Sequence, residues 1–284
     1  MRWTPGGESR NVEDRRGSGG FGMAPMGIGG TVILLVLSLI FGRDFVSGSG
    51  DNGSAGEQTA NGEAAPAVQQ SPEEAREVQF VSFVLDTAQA TWARLLPQDM
   101  GTRWHDAKLV LFRNATQTGC GVGQEAMGPF YCPLDQKIYI DLAFYDELRS
   151  RFGAPGDFAQ AYVLTHELGH HVQHLLGIDE RVRRAQEANP DQANALSVRL
   201  ELQADCYAGI WAHETQRQQM LETGDVEEAL NAASSVGDDR IQRATRGRVN
   251  ADTFTHGTSQ QRATWFRRGF DSGNPKDCNT FASA

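Results

Sequence analysis

Three patterns of apolar and polar residues follow one another along this 284-residue chain. Residues 1–25 are rich in Gly and Arg and have no apolar period, which predicts a disordered arm. Residues 26–42, Met-Gly-Ile-Gly-Gly-Thr-Val-Ile-Leu-Leu-Val-Leu-Ser-Leu-Ile-Phe-Gly, carry no charge. At a rise of about 1.5 Å per residue these 17 positions make a short transmembrane helix, for which about 17 to 25 residues are needed. Residues 43–71 are dominated by Gly, Ser, Ala, Asn and Gln, too little apolar surface to order a backbone, and predict a flexible linker.

From residue 72 onward the period becomes regular, and one domain over 72–284 is expected. Ser71-Pro72-Glu73-Glu74 reads as a helix start, with Ser71 as N-cap, Pro72 in the first position and Glu74 closing a capping box. Val78, Val81, Leu85, Ala88, Trp92 and Leu95 then recur at spacings of three and four, one buried helix face. Lys108–Phe112 and Lys137–Asp141 are short β-branched and aromatic runs suited to strands. A helix over Asp141–Phe152, a turn at 153–156, a helix from Asp157 as N-cap to Gly177, and a long helix over Asn194–Glu214 complete the reading.

Charge changes the picture in two places. Arg2, Arg10, Arg15 and Arg16 precede the apolar run, whereas the next forty residues hold only Arg43 and Arg76. The positive-inside rule then puts the N-terminus in the cytoplasm and the domain outside, on one crossing. A cleaved signal peptide is the competing reading. No convincing small-x-small cleavage site and no lipid-attachment cysteine follows the run, so an uncleaved anchor is the expectation. The net charge of −10 argues against a nucleic-acid partner; the seven arginines between Arg240 and Arg268 read as solvated helix surface.

The chemistry lies in Thr165-His166-Glu167-Leu168-Gly169-His170-His171. On a helix His166 and His170 share one face a turn apart, a spacing at which two neutral imidazoles can grip one Zn²⁺. Glu167, rotated off their line, is placed to act as general base toward water. A third ligand must come from elsewhere. His174 is eight residues from His166, about 12 Å along a helix axis, too far to share one ion. The extended motif with Gly at 173 and His at 176 is excluded by Gln173 and Leu176. Glu201-Leu-Gln-Ala-Asp205 remains: Glu201 can ligate, and Asp205, four residues on, can take the N–H of a ligand histidine. His171 has a different register and faces the helix's surroundings. For the oxyanion, His256 in a polar loop is the leading candidate, with Tyr139 and Tyr207 behind it. Asp238 and Asp239 read as a helix cap rather than a cation site. Lys137–Asp141 is a candidate edge strand for substrate.

Cys120 and Cys132 flank a Gly-rich loop and, outside the cytoplasm, can close it with a disulfide, leaving Cys206 and Cys278 as a second pair. Four cysteines allow three pairings, and a cysteine-rich zinc site is the alternative. No Cys-x-x-Cys occurs.

The His-Glu-x-x-His motif, Glu201-Leu-Gln-Ala-Asp205 and Gly128-Pro-Phe-Tyr-Cys-Pro133 resemble the bacterial neutral zinc metallopeptidase family, itself similar to gluzincins. The resemblance runs from Asn11-Val-Glu-Asp-Arg-Arg-Gly17 to Cys278-Asn-Thr-Phe281. It implies an α+β, zincin-like fold: a small sheet packed on the motif helix and a mainly helical C-terminal part that supplies the glutamate. It implies His166, His170 and Glu201 as zinc ligands and Glu167 as base; the motif's own chemistry points to a peptide or protein substrate, and the apolar run to a place in the inner membrane. A membrane-tethered binding or scaffold protein with structural or no zinc is the competing class; a closed structural site has four protein ligands and little use for Glu167.

Overall fold

The computed structural model describes residues 1–17, 70–124, 128–150 and 156–282. Helix α1 (Pro72–Met100) starts as its sequence dictates: Ser71 Oγ accepts from the Glu74 N–H at 3.1 Å and the Glu74 carboxylate accepts from the Ser71 N–H at 3.1 Å. Its six periodic apolar residues are all buried. Strand β1 (Val12–Asp14), β2 (Lys108–Phe112), the hairpin β3 (Ala115–Thr118) and β4 (Gly121–Gln124), β5 (Phe130–Cys132) and β6 (Lys137–Asp141) follow. Then come the helices α2 (Ala143–Ser150), α3 (Asp157–Leu175), α4 (Ile178–Ala188), α5 (Ala193–Arg217), α6 (Asp225–Ser235), α7 (Asp238–Arg246) and α8 (Ser259–Ser272). The chain is α+β and mostly helical.

The main sheet has the order β1-β2-β6-β5, with β1, β2 and β6 parallel and β5 antiparallel at the far edge. Alternation sorts its faces. Leu109, Leu111, Ile138 and Ile140 join the large core shared with α1, α3 and α5, while Val110, Phe112, Cys132 and Tyr139 form a smaller cluster on the other face. Strand β6 lies between β2 and β5, so the expected edge strand at Lys137–Asp141 is interior and the free edge beside α3 is β5. Disulfides join Cys120 to Cys132 and Cys206 to Cys278.

The N-terminal residues correct the sequence reading. Residues 1–17 are not a disordered arm: Val12, Glu13 and Asp14 pair with Leu109, Val110 and Leu111 of β2. The Arg16 side chain is fully buried against Asp14, at 2.9 and 2.6 Å, and Trp3 packs on Phe80 and Phe83 of α1. Backbone pairing, ion pairs that include Arg16–Asp14 and Lys137–Glu13, and one indole hold this segment, and none of these leaves an apolar period. Asp157 also departs from expectation. The N-cap of α3 is Gly156, and the Asp157 carboxylate instead accepts from the amino group of Met1 at 2.8 Å.

The expected transmembrane run 26–42 and most of the linker lie outside the described residues. Among those described, no helix is long and apolar enough to cross a membrane. The chain leaves and re-enters the described part at one corner, where Gln70 Nε2 donates to Asp14 Oδ2 at 3.2 Å.

Candidate metal centre

The site forms where α3 crosses α5, and the crossing is close because of small residues. A Cβ on Gly169 would lie 3.0 Å from the Ala204 carbonyl oxygen and 3.1 Å from its Cα. That contact puts Glu201, one turn before Ala204, against the motif's histidines. His166 Nε2 lies 3.1 Å from one Glu201 oxygen and His170 Nε2 3.5 Å from the other. Glu167 is buried on the same turn of α3, between the two histidines in sequence.

The opposite ring nitrogens are held separately. His166 Nδ1 lies 2.8 Å from Asp205 Oδ1, as the four-residue spacing from Glu201 led one to expect. His170 Nδ1 lies 2.9 Å from Gln173 Oε1. Asp205, fully buried, also accepts from Tyr162 Oη and from Arg262, whose Nε and Nη2 donate at 2.8 and 2.9 Å. Arg262 reaches that depth because α8 lies directly on α5: a Cβ on Gly209 would collide with Phe266, and one on Gly269 with Cys206.

Sequence reasoning missed Tyr162, Gln173 and Arg262. The signal for Arg262 was present. It shares a face with Phe266, Gly269 and Phe270, the buried side of α8, although it stands within a span read as solvated arginines. Gln173 had been weighed only as the absence of a glycine.

Two carboxylates bracket the His166 ring. Burial opposes its charge, but Asp205 and Glu201 outweigh burial, and without metal the imidazole pKa rises to about 10. Burial likewise disfavours the Glu201 carboxylate, yet His170, His166 and His256 hold its pKa well below the usual range. The pocket is built to hold positive charge.

The remaining candidates sort as follows. His171 is buried, 2.9 Å from Tyr131 Oη and 2.7 Å from the His105 carbonyl, and burial pushes its pKa down to about 4. His174 pairs with Asp179 at 2.7 Å. Tyr139 stacks on Phe130 and donates to Asp135, and Tyr207 packs edge-on to Trp92, so both are packing residues. His256 is half exposed, 3.3 Å from Asp238 Oδ1; partial desolvation opposes its protonation, but Asp238 and Glu201 raise its pKa. Asp238 and Asp239 are not N-caps of their own helix, whose N-cap is Gly237. Asp238 Oδ2 accepts from the backbone N–H of Thr255, His256 and Gly257 at 2.8, 2.7 and 3.0 Å, and Asp239 from Ser259 at the start of α8. Together they hold the loop that carries His256.

Comparison with known proteins supplies the family. The family model described as "Putative neutral zinc metallopeptidase" matches residues 1–281. The chain belongs to this family. It is 50% identical over its whole length, and over all of the relative, to the uncharacterized protein YpfJ of Escherichia coli K12. It is 44% identical over 210 residues to uncharacterized proteins of Mycobacterium bovis and Mycobacterium tuberculosis H37Rv, covering 70% of this chain and 69% of each relative. No solved structure matches it.

The zinc in the family's description fits the residues present. Ligand atoms of His166, His170 and Glu201 all lie within 4.8 Å of one another. Zinc bonds of about 2.0–2.1 Å in a tetrahedron place ligand atoms about 3.3 Å apart, and each histidine Nε2 lies near that distance from one of the two Glu201 oxygens, at 3.1 and 3.5 Å. Two imidazoles and one carboxylate leave a position open, the composition of a catalytic rather than a closed structural site.

Proposed function

We propose that this chain is a zinc metallopeptidase that hydrolyses peptide bonds, with His166, His170 and Glu201 as metal ligands and Glu167 as general base. The observation that carries the reading is the convergence of both Nε2 atoms on the Glu201 carboxylate, with each Nδ1 engaged by its own acceptor. A zinc ion bound there supplies Lewis acidity, acidifying water toward a pKa of about 7 and polarising a scissile carbonyl.

The chain's own residues do the rest. Asp205 and Gln173 accept the Nδ1 protons, which keeps both Nε2 lone pairs turned into the site. Glu167 takes a proton from the attacking water and returns it to the leaving amine nitrogen. His256, whose loop is held by Asp238, is the donor assigned to the developing oxyanion. The small mixed sheet with its antiparallel edge strand β5 beside the motif helix supports the zincin reading.

Attachment to the inner membrane through residues 26–42 is part of the proposal, supported by their lack of charge. The two disulfides favour an oxidising compartment for the domain. A single crossing would separate residues 1–17 from the domain, so it is compatible only with β1 released from the sheet.

The test is peptide-library cleavage by the full chain in detergent, with zinc reconstituted. The reading predicts amide cleavage that a chelator abolishes and zinc restores. One tightly bound zinc with no amide cleaved would favour the scaffold reading.

A further inference from the structure

We infer that Gln173 is a positioning residue for His170, and that the C-terminal tail holds it in that role. The inference rests on the metal-site reading above.

Gln173 is fully buried, on the turn of α3 after His170. Its Nε2 donates to the Leu200 carbonyl at 2.7 Å and to Gln203 Oε1 at 3.1 Å, and Gln203 Nε2 donates to the Cys278 carbonyl at 2.9 Å. The direction of every bond in this chain follows from its two ends. A backbone carbonyl only accepts, so the NH₂ side of Gln203 must face Cys278 and the NH₂ side of Gln173 must face Leu200. Gln173 Oε1 is thereby left on His170 Nδ1, which must then carry the proton. The lone pair of His170 falls on Nε2, the atom beside Glu201.

The far end of the chain is fixed covalently. Cys278 is bonded to Cys206, the residue after Asp205 on α5, and Thr280 Oγ1 donates to the Arg199 carbonyl at 2.7 Å. The tail thus clamps the helix that carries Glu201 and Asp205, and supplies the carbonyl that orients the second histidine. Both ligand histidines have their tautomer set from α5, one by an ionised acid and the other by a neutral amide relay.

The experiment measures zinc affinity of the full chain by chelator competition, together with the visible spectrum of the Co²⁺ form. Replacing an outer partner of a metal-ligating histidine costs about tenfold to hundredfold in affinity. Gln173→Met is expected to weaken zinc by that factor and shift the Co²⁺ spectrum in a metal-free protein that still melts cooperatively, at a lowered temperature because buried partners lose a hydrogen bond. Gln203→Met, which touches no ligand, and the paired Cys206→Ser/Cys278→Ser variant are expected to give smaller losses in the same direction. Wild-type affinity and spectrum in a folded Gln173→Met protein would overturn the inference. Where Gln173→Met does not fold, Gln203→Met decides: wild-type behaviour there removes the tail from the account. A wild-type chain that binds neither metal would instead overturn the metal-site reading itself.

Discussion

Gly169 of the motif helix lies directly against Ala204 of the helix that carries Glu201, so close that a methyl group there would sit 3.0 Å from the Ala204 carbonyl oxygen and require the helices to give by a few tenths of an ångström. The approach of Glu201, the proposed third ligand, to the histidines therefore depends on a residue with no side chain. Gly169→Val keeps all three ligands and Glu167, yet forces α3 and α5 apart. Overpacking of this kind costs about 1–3 kcal/mol. Zinc affinity is expected to fall by at least tenfold in Gly169→Val, read by chelator competition; unchanged affinity would show that the helix approach does not set the site.

Arg262 and Asp205 form a buried ion pair beneath His166. Removing one partner of such a pair typically costs about 3–5 kcal/mol, because the other charge is left uncompensated. Arg262→Met is expected to lower the stability of the metal-free protein by that amount in urea unfolding. A loss below about 1 kcal/mol would indicate that Tyr162 and His166 suffice to hold Asp205.

The loop carrying His256 has a pH window. Burial disfavours the Asp238 carboxylate, but His256 and the loop amides outweigh it and lower its pKa from 3.8. A lowered acid stabilises fully above its unfolded pKa and loses that contribution as pH falls through the folded value. His256 is raised from 6.5, so its contribution is complete below that value and is lost as pH rises through the folded one. Amide exchange protection at Thr255, His256 and Gly257 is expected to be greatest between about pH 4 and 6 and to drop on acidification below that range. Asp238→Asn is expected to flatten the acid limb; an unchanged acid limb would refute the assignment.

Strand β1 makes a prediction about topology. With β1 paired to β2, residues 1–17 and the domain share one compartment. A cysteine introduced at Glu8 is expected to react with an impermeant thiol reagent in the same cell fraction as one introduced at exposed Arg243. Protection of the first with labelling of the second would show that the membrane-bound form crosses once and has released β1.

Much of the site was legible from spacing. His166, Glu167 and His170 follow from one turn of helix, and Glu201 with Asp205 from another, because i and i+4 relations survive in any helix. The capping box at Ser71 and the αL residue Gly177 near the end of α3 were equally local. What escaped were relations between distant segments. Arg262 is 57 residues from Asp205, and the Cys278 carbonyl is 75 residues from Gln203. A carbonyl has no residue identity to read. The N-terminal strand escaped for a related reason: three residues are held by backbone pairing with β2 and by ion pairs of Glu13 and Asp14, neither of which leaves an apolar pattern.

The central claim is that Glu167 moves protons at a three-ligand zinc site, and Glu167→Gln tests it most directly. The measurement is kcat for cleavage of a library-derived peptide alongside bound zinc per chain. A general base contributes about 10²- to 10⁴-fold. The account predicts a loss of that size with zinc retained at one per chain, and undiminished cleavage by Glu167→Gln would contradict it.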